Sequence, residues 1–412
     1  MGKTVIVIGA GAVGIGAACH LQRDGHSVTV IDRLPPARGC SFGNAGAISA
    51  TSMMPLAFPG VAWKIPGWLL DPLGPLALRW RHLPALLPWL KDFLAAGRPE
   101  RFKSIVAAKA ALGAKTYEGW APLIEEARLD SLVRHAGVIH VYPNEAARAE
   151  DDLSWRIRRE YGFSYDVLPG EELRQMLPDL SRDYTCGVFE DHWRHVLDPH
   201  DFVTTLADHF RARGGTILAE EVRDFELGDG GVKRVVTDRA WHAADEFVIA
   251  AGAWSHRLAK KLGSNVPLES QRGYHVTMPK HGLDIRHMIM DPTGKMNITP
   301  MSRGLRASGT SEFSGVDAPP DFRRARVLIT KTTKIFPKLD SEGFTEWAGD
   351  RPVLPDTMPV IGRSPIHRNA VYAFGHSQVG LSLGGITGRL VAEVVDGRMP
   401  SIDLTPYRVD RF

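Results

Sequence analysis

Thr4 to Ile8 (TVIVI) is an unbroken apolar, β-branched run, the pattern of a strand buried on both faces of a parallel sheet. A glycine-rich turn, Gly9 to Gly14 (GAGAVG), follows, and Ile15 to Asp24 then reads as an Ala-rich helix stopped by Gly25. Ser27 to Asp32 (SVTVID) predicts a second strand. Together these pieces span about thirty residues, the length of a βαβ unit with its right-handed crossover.

From Pro55 to Gly97 that rhythm is lost. Pro and Leu become frequent, Trp63, Trp68, Trp80 and Trp89 punctuate the tract, and the change sets a domain switch near residue 53. Ala107 to Ala127 predicts a helix, while Gly137 to Tyr142 and Cys186 to Glu190 predict strands. Asp198 before Pro199 fits an N-cap with proline at the first helical position, Asp201 lies in the first turn, and Gly214-Gly215 ends the helix. Further strands are expected at Thr216 to Ala219, around Val232 to Thr237, and at Glu246 to Ala250, the last running into a turn and a helix. The expected fold class is α/β: a discontinuous Rossmann-type nucleotide-binding domain (1–52, 186–266 and 347–412) with a second, β-rich α+β domain (53–185 and 267–346).

Length and composition agree with two folded domains: 412 residues, 44% hydrophobic and 24% charged. A net charge of +3, with basic residues scattered, argues against a nucleic-acid partner. Cys19, Cys40 and Cys186 are too few and too far apart for a disulfide framework, and no Cys/His cluster suggests a metal. The chain runs from Met1 into its first strand without a signal-peptide pattern and has no apolar run of about eighteen residues. The expected location is therefore cytoplasmic.

The chemistry begins in the first turn. Gly9, Gly11 and Gly14 stand as GxGxxG between strand and helix: the first for the tight turn, the second for close approach to a pyrophosphate, the third for helix–strand packing. The helix start adds free N–H groups and a partial positive charge. Asp32 ends the second strand eighteen residues after Gly14, placed to accept from ribose hydroxyls. These features predict a dinucleotide but do not separate FAD from NAD. Three others favour FAD: Cys40 to Gly46 (CSFGNAG), a second strand-to-turn junction at Ala250 to Ala253, and Gly375 to Gly385 (GHSQVGLSLGG) before a helix expected at Ile386 to Asp396. That late helix start can present N–H groups to an electron-rich ring.

Several longer segments then become specific: VIVIGAGAVGIGAACHLQRDGHSVTVIDR, SFGNAG, Asn297 to Met301 (NITPM), GLRASGTSEF (304–313), RPVLPDTMPVIG (351–362) and GHSQVGLSLGGITGRLVAEVVDGRMP (375–400). In these, and in their order, the chain resembles the D-amino acid oxidase-like FAD-dependent oxidoreductases, most closely the branch of the small, catalytic subunit of bacterial D-amino acid dehydrogenase. The resemblance implies a β-rich substrate domain over the isoalloxazine ring. By matching position, Gly9, Gly11, Gly14, Asp32 and Arg33 would hold the ADP half and Val222 would lie near the adenine. Ser41, Asn44, Ala45 and Gly46 would lie near the pyrophosphate and ring. Gly252, His376, Val379, Gly380, Leu381 and Ser382 would complete the pocket.

Arg351 falls where relatives pair an arginine with the substrate carboxylate. A guanidinium fork suits that task, and it equally suits an ion pair between domains. His275 and His376 are candidates for polarising the flavin or handling the amine, and each also suits a hydrogen-bonded core position. Two departures stand out: Gln378 replaces a second arginine found in glycine-oxidase-like relatives, and Asn297 stands where some of them have a tyrosine. The flavin is expected to be non-covalent, because no Cys follows Cys186. Cys40, close to the expected flavin, has two readings, a thiol with a part in the chemistry and a small packed thiol, the second favoured.

The implied reaction is oxidative deamination of a D-amino acid to a 2-oxo acid and ammonia, with hydride transfer from Cα to flavin N5. Alternatives are a D-proline or D-hydroxyproline dehydrogenase, a sarcosine- or glycine-oxidase-like enzyme, a flavin-carrying subunit of a hetero-complex, and an NAD-dependent dehydrogenase. A quinone or the respiratory chain is favoured over NAD as electron acceptor. Pro55 to Leu94, with Lys64, Arg79, Arg81 and Lys91 among its Trp and Leu residues, has two readings. One is a helical cover on the substrate domain. The other is peripheral contact with the inner face of the membrane.

Overall fold

The computed structural model describes residues 2–412. A six-stranded sheet runs in the order Thr216–Ala219, Ser27–Asp32, Thr4–Ile8, Glu246–Ile249, Ala370–Phe374, Val360–Arg363. The first five strands are parallel to their neighbours and the last is antiparallel. Thr4–Ile8 sits at the centre with its four last residues fully buried, as its apolar run requires. The chain leaves it toward Ser27–Asp32 on one side and meets Glu246–Ile249 on the other. That reversal of strand order opens a crevice at the strands' carboxyl ends.

The helix after Thr4–Ile8 is Ala12–Arg23, starting three residues earlier than the sequence suggests. Asp198 caps Pro199–Ala212 as expected, its carboxylate accepting from His200 and Asp201 N–H. The late helix is Gly380–Asp396, not Ile386 to Asp396. Gly384 and Gly385 therefore lie within it rather than in a turn. Glycine is costly in a helix interior, but here a Cβ on Gly384 would come within 3.0 Å of Ala12 O, and one on Gly388 within 2.5 Å of Gly16. The glycines let this helix lie directly on the first one. The single helix expected from Ala107 to Ala127 is two, Pro99–Ala114 and Thr116–Glu126, broken at Lys115. Each half follows a different neighbour: Gly113 approaches Ala50 O, and Gly119 approaches Ile386 N.

A nine-stranded, mostly antiparallel sheet forms the second layer, along the path Thr345–Val353, Glu269–Met278, Gly304–Phe313, Met296–Met301, Met288–Asp291, Val138–Tyr142, Cys186–Glu190, Asp166–Pro169, with Leu76–Leu78 beside Gly304–Phe313. Cys186–Glu190, assigned above to the nucleotide domain, pairs inside this sheet, and Thr345–Val353 runs across the boundary expected at 347. Both are long-range pairings that a local pattern does not reveal. One face of the large sheet packs on helix Arg323–Ile335 through Tyr274, Val276, Leu305, Ala307 and Leu328. The architecture is thus a Rossmann-type α/β domain with a β-rich second domain. Among the described residues, no helix is long and apolar enough to cross a membrane.

Candidate active site

A cleft of about 370 Å³ opens at the carboxyl ends of the parallel strands. Its size falls in the range of cofactor and ligand pockets. Gly9 and Gly11 form one wall. Gly9 has φ +118°, and a Cβ there would lie 2.3 Å from Ala250 O, so only glycine fits the turn. Gly14 is not at the surface of the cleft: a Cβ on it would lie 1.9 Å from Gly9 O, which makes it the helix–strand packing position. Helix Ala12–Arg23 points its N-terminus into the cleft with no acidic residue in its first turn. Ala12 N–H donates to Ser41 Oγ (2.9 Å), which ties the CSFGNAG loop to that helix start.

Asp32, Arg33, Val222 and Gly252 border the same cleft. Asp32 accepts from Ala10 N–H (2.7 Å) and Leu34 N–H (2.8 Å). Burial nevertheless holds its carboxyl above the ordinary range. A carboxylate has more acceptor sites than these two bonds use, so a ribose hydroxyl remains within its capacity. The Arg33 guanidinium lies over the Trp254 ring, 4.3 Å from its centroid. On the far side are Asn44, His376, Gly380 and Leu381.

Ala45, Gly46, Val379 and Ser382 do not line the cleft and act as supports. Ala45 O accepts from Thr299 Oγ1 (2.9 Å), and Gly46 N–H donates to Asn44 Oδ1 (2.9 Å) with φ +83°. Val379 packs in an apolar cluster, and Ser382 Oγ donates to Ala47 O (2.8 Å). His376 Nε2 lies 2.9 Å from Thr387 Oγ1. Burial, with the Lys109 ammonium nearby, pushes its pKa down to about 3. Cys40 borders the cleft as a neutral thiol, its pKa pushed up to about 11 by burial.

Sequence reasoning passed over Ser377. It has φ +52°, its side chain is buried, and its Oγ has no hydrogen-bond partner among the described residues. Ser377 lines the cleft, and its N–H donates to Pro352 O (2.9 Å). A strained backbone holding an unsatisfied hydroxyl at a cleft wall is the arrangement expected of a group awaiting a ligand. With the bare helix start and the glycine turn, it fits a dinucleotide cofactor.

The remaining candidates gather on the substrate sheet. Strand register pairs Arg351 with Gln271, Trp347 with His275, His275 with Ser308, and Ser308 with Asn297. Directly paired residues, and residues two apart, share one face. That face is opposite the one packed on helix Arg323–Ile335. Gln378 reaches it from the GHSQVG loop, its Nε2 donating to Gln271 Oε1 (3.3 Å). His275 stacks on Trp347 (5.1 Å, 16°) and its Nδ1 lies 3.2 Å from Gly43 O. Its pKa is pushed down to about 3, first by burial and then by Arg306 and Arg351. Both imidazoles are thus held in the neutral form by burial, which suits hydrogen bonding more than proton storage.

Three arginines distinguish themselves in this sheet. Arg272, on the helix-packed face, pairs with Asp350 (3.1 Å) and lies 3.9 Å from Glu312. Arg306 gives its guanidinium to Phe42 O (3.3 Å) and Asn44 O (2.8 Å), clasping the cleft loop. Arg351 makes one bond, to Ser311 Oγ (3.1 Å), and among the described residues no carboxylate lies within ion-pair distance. Burial holds its pKa below the usual guanidinium value. Its guanidinium lies so close over Gly273 that a Cβ there would be 2.1 Å from Cζ. Arg351 is not itself a wall of the cleft; its neighbours Asp350 and Pro352 are, so its strand runs along the rim. Gly273, Ser311 and Trp347 had no signal in the sequence, because only the register brings them here.

One cluster elsewhere resembles a metal site. Asp198, His200 and Asp201 converge, but Arg303 bridges the two carboxylates at 2.7 and 3.0 Å and Asp198 caps a helix.

Comparison with known proteins agrees with this geometry. The family described as FAD dependent oxidoreductase (DAO) matches residues 4–394. The chain belongs to that family. This FAD-dependent oxidoreductase is 39% identical to a protein named D-amino-acid oxidase from Bradyrhizobium diazoefficiens, covering 100% of this chain and 99% of the relative. It is 30% identical to a D-amino acid dehydrogenase of the same organism, covering 99% and 98%. Its fold is similar to the crystal structure of glycine oxidase from Geobacillus kaustophilus, with a TM-score of 0.78 at 21% identity, covering 100% of this chain and 99% of that one.

Proposed function

We propose that this oxidoreductase deaminates D-amino acids, with Arg351 holding the substrate carboxylate. The observation that carries the reading is the half-buried Arg351 guanidinium, which has no acidic partner among the described residues and shares its sheet face with Gln271, His275 and Trp347. A partly desolvated cation is costly without an anion, and a planar fork matches a carboxylate bidentately. The names of the full-length relatives support the D-amino acid class.

Gly9, Gly11, Asp32, Arg33, Val222 and the start of helix Ala12–Arg23 would hold the ADP half of FAD. Ser41, Asn44, Ser377 and the start of helix Gly380–Asp396 would hold the flavin end, with Gly14, Ala45, Gly46, Gly252, Val379, Gly380, Leu381 and Ser382 shaping the pocket. Bound FAD supplies the acceptor for the hydride leaving Cα. Arg351 fixes the carboxylate and so orients Cα–H, while the stacked His275–Trp347 pair forms an apolar wall. Gln378 and Asn297 offer neutral polar contacts in place of a second cation. The amine loses its proton to solvent, and the imine hydrolyses to a 2-oxo acid and ammonia. The electron acceptor is read as a quinone or respiratory-chain carrier, reached from the apolar tract beside the site.

Anaerobic mixing of the yellow protein with matched D- and L-amino acids tests the reading. Flavin absorbance is expected to bleach with D-isomers; bleaching by L-isomers alone refutes it.

A further inference from the structure

We propose that Lys109, on helix Pro99–Ala114, is a positioning residue whose buried ammonium, set behind His376, answers the negative charge that a bound flavin ring gains on reduction. Lysine is among the residues least often buried, and a buried one is ordinarily paired. Lys109 is 8% exposed, yet its Nζ makes a single hydrogen bond, to Thr357 O (3.3 Å), and among the described residues no carboxylate stands within ion-pair distance. Asp356 is the acid whose charge reaches it. That carboxylate is already taken: Arg411 holds both its oxygens, at 2.8 and 3.1 Å, and Met358 N–H donates to one of them (3.1 Å). One anion between two cations leaves a positive charge unanswered in the interior.

The excess charge borders the flavin end of the cleft. His376 is a cleft wall, and the Lys109 ammonium behind it helps to hold its imidazole neutral. His376 Nε2 is fixed on Thr387 Oγ1 of helix Gly380–Asp396, whose start lies on the same wall with no acid in its first turn. A neutral imidazole sets no charge between the ammonium and the cleft, so the field of the lysine acts there in a poorly screened interior.

The backbone that meets Lys109 is strained. Thr357 is buried, has φ +58°, and its Oγ1 has no partner among the described residues. Its N–H donates to Leu354 O (2.9 Å), closing the turn that presents its own carbonyl to Lys109. A β-branched residue in the left-handed region is a marked outlier, and such strain persists where the surroundings impose it, most often at functional sites. Satisfying one carbonyl needs only a neutral donor, not a desolvated cation.

The charge has a use in the reaction. A hydride carries two electrons and one proton, so a neutral ring that accepts it becomes an anion. A fixed cation behind the wall favours that anion and needs no reorganisation at the moment of transfer. This role requires the flavin but no particular amine, so it stands apart from the reading of Arg351.

The test is the midpoint potential of the flavin in the holoenzyme, titrated against a reference dye, with sulfite binding as a second readout, because sulfite adds to the ring and leaves it anionic. Lys109→Met is expected to raise the sulfite dissociation constant about tenfold and to lower the potential by about 30 mV, the same factor in a two-electron equilibrium. Lys109→Arg should keep both near the wild-type values. Wild type supplies a check that does not depend on how a variant folds. Around the ammonium, Asp356 and Arg411 are paired, His376 is neutral, and burial pushes up the pKa of Tyr407, whose hydroxyl donates to Ala108 O. Lys109, brought down to about 8 by burial, is the group left to titrate near that pH. Above it the lysine is neutral beside the oxidised ring, and the charge gained on reduction draws a proton back. The wild-type potential should therefore fall more steeply with pH above about 8, by one extra proton per two electrons. A potential and sulfite affinity unchanged in Lys109→Met overturn the proposal, and so does a wild-type potential that does not steepen.

Discussion

The two faces of the sheet formed by Glu269–Met278 and Thr345–Val353 carry the same residue type to opposite ends. Arg272, on the face packed against helix Arg323–Ile335, is buried among Asp350, Glu312 and Ser314. Arg351, one strand over and facing the cleft loop, has only a serine hydroxyl. A buried cation whose charge is answered within the chain is structural. A half-buried one whose charge is left open, such as Arg351, is free to take a partner from outside the chain. The same contrast separates two serines: Ser270 Oγ donates to Asp350 (2.6 Å), while Ser377 Oγ, at the cleft wall, is unpartnered.

The sharpest way to break this comparison is to neutralise each arginine. Arg272→Met leaves the half-buried Asp350 without its cation, while Glu312 keeps Arg79 at 2.7 Å, and is expected to cost about 3–5 kcal/mol in denaturant unfolding. Arg351→Met is expected to change stability by less than about 1 kcal/mol, since it removes a cation with no acidic partner. Equal losses in the two variants would erase the distinction between the faces. A smaller effect is expected at the cleft wall. Ser377→Ala should raise the flavin dissociation constant about tenfold, the size of one lost hydrogen bond in a buried site. The folded apoprotein should be unimpaired, and fluorescence of released flavin reads the difference. An unchanged constant would mean that the hydroxyl addresses nothing.

What the sequence made legible divides along the same line. Thr4–Ile8, Ser27–Asp32 and the Asp198 cap could be read locally, because a buried parallel strand and a capped helix each write their reason into neighbouring residues. Arg351 was legible only through its motif. Its isolation from acids depends on which residues face it, and that is set by pairing Thr345–Val353 with a strand some eighty positions away. Trp347 and Gly273 were invisible for the same reason. Gly384 and Gly385 misled, since glycine in a helix looks like a turn until the partner helix is in place. Ser377 lay inside a quoted motif and still escaped notice, because an unsatisfied hydroxyl is a property of surroundings.

The claim that the open charge of Arg351 is meant for a substrate carboxylate is tested most directly by comparing flavin reduction by a D-amino acid with reduction by its carboxamide, anaerobically, in wild type and Arg351→Met. Wild type should favour the carboxylate by about a thousandfold, the scale of a desolvated charge pair, and the variant should lose that preference. A variant that still prefers the carboxylate by the same factor would contradict the account.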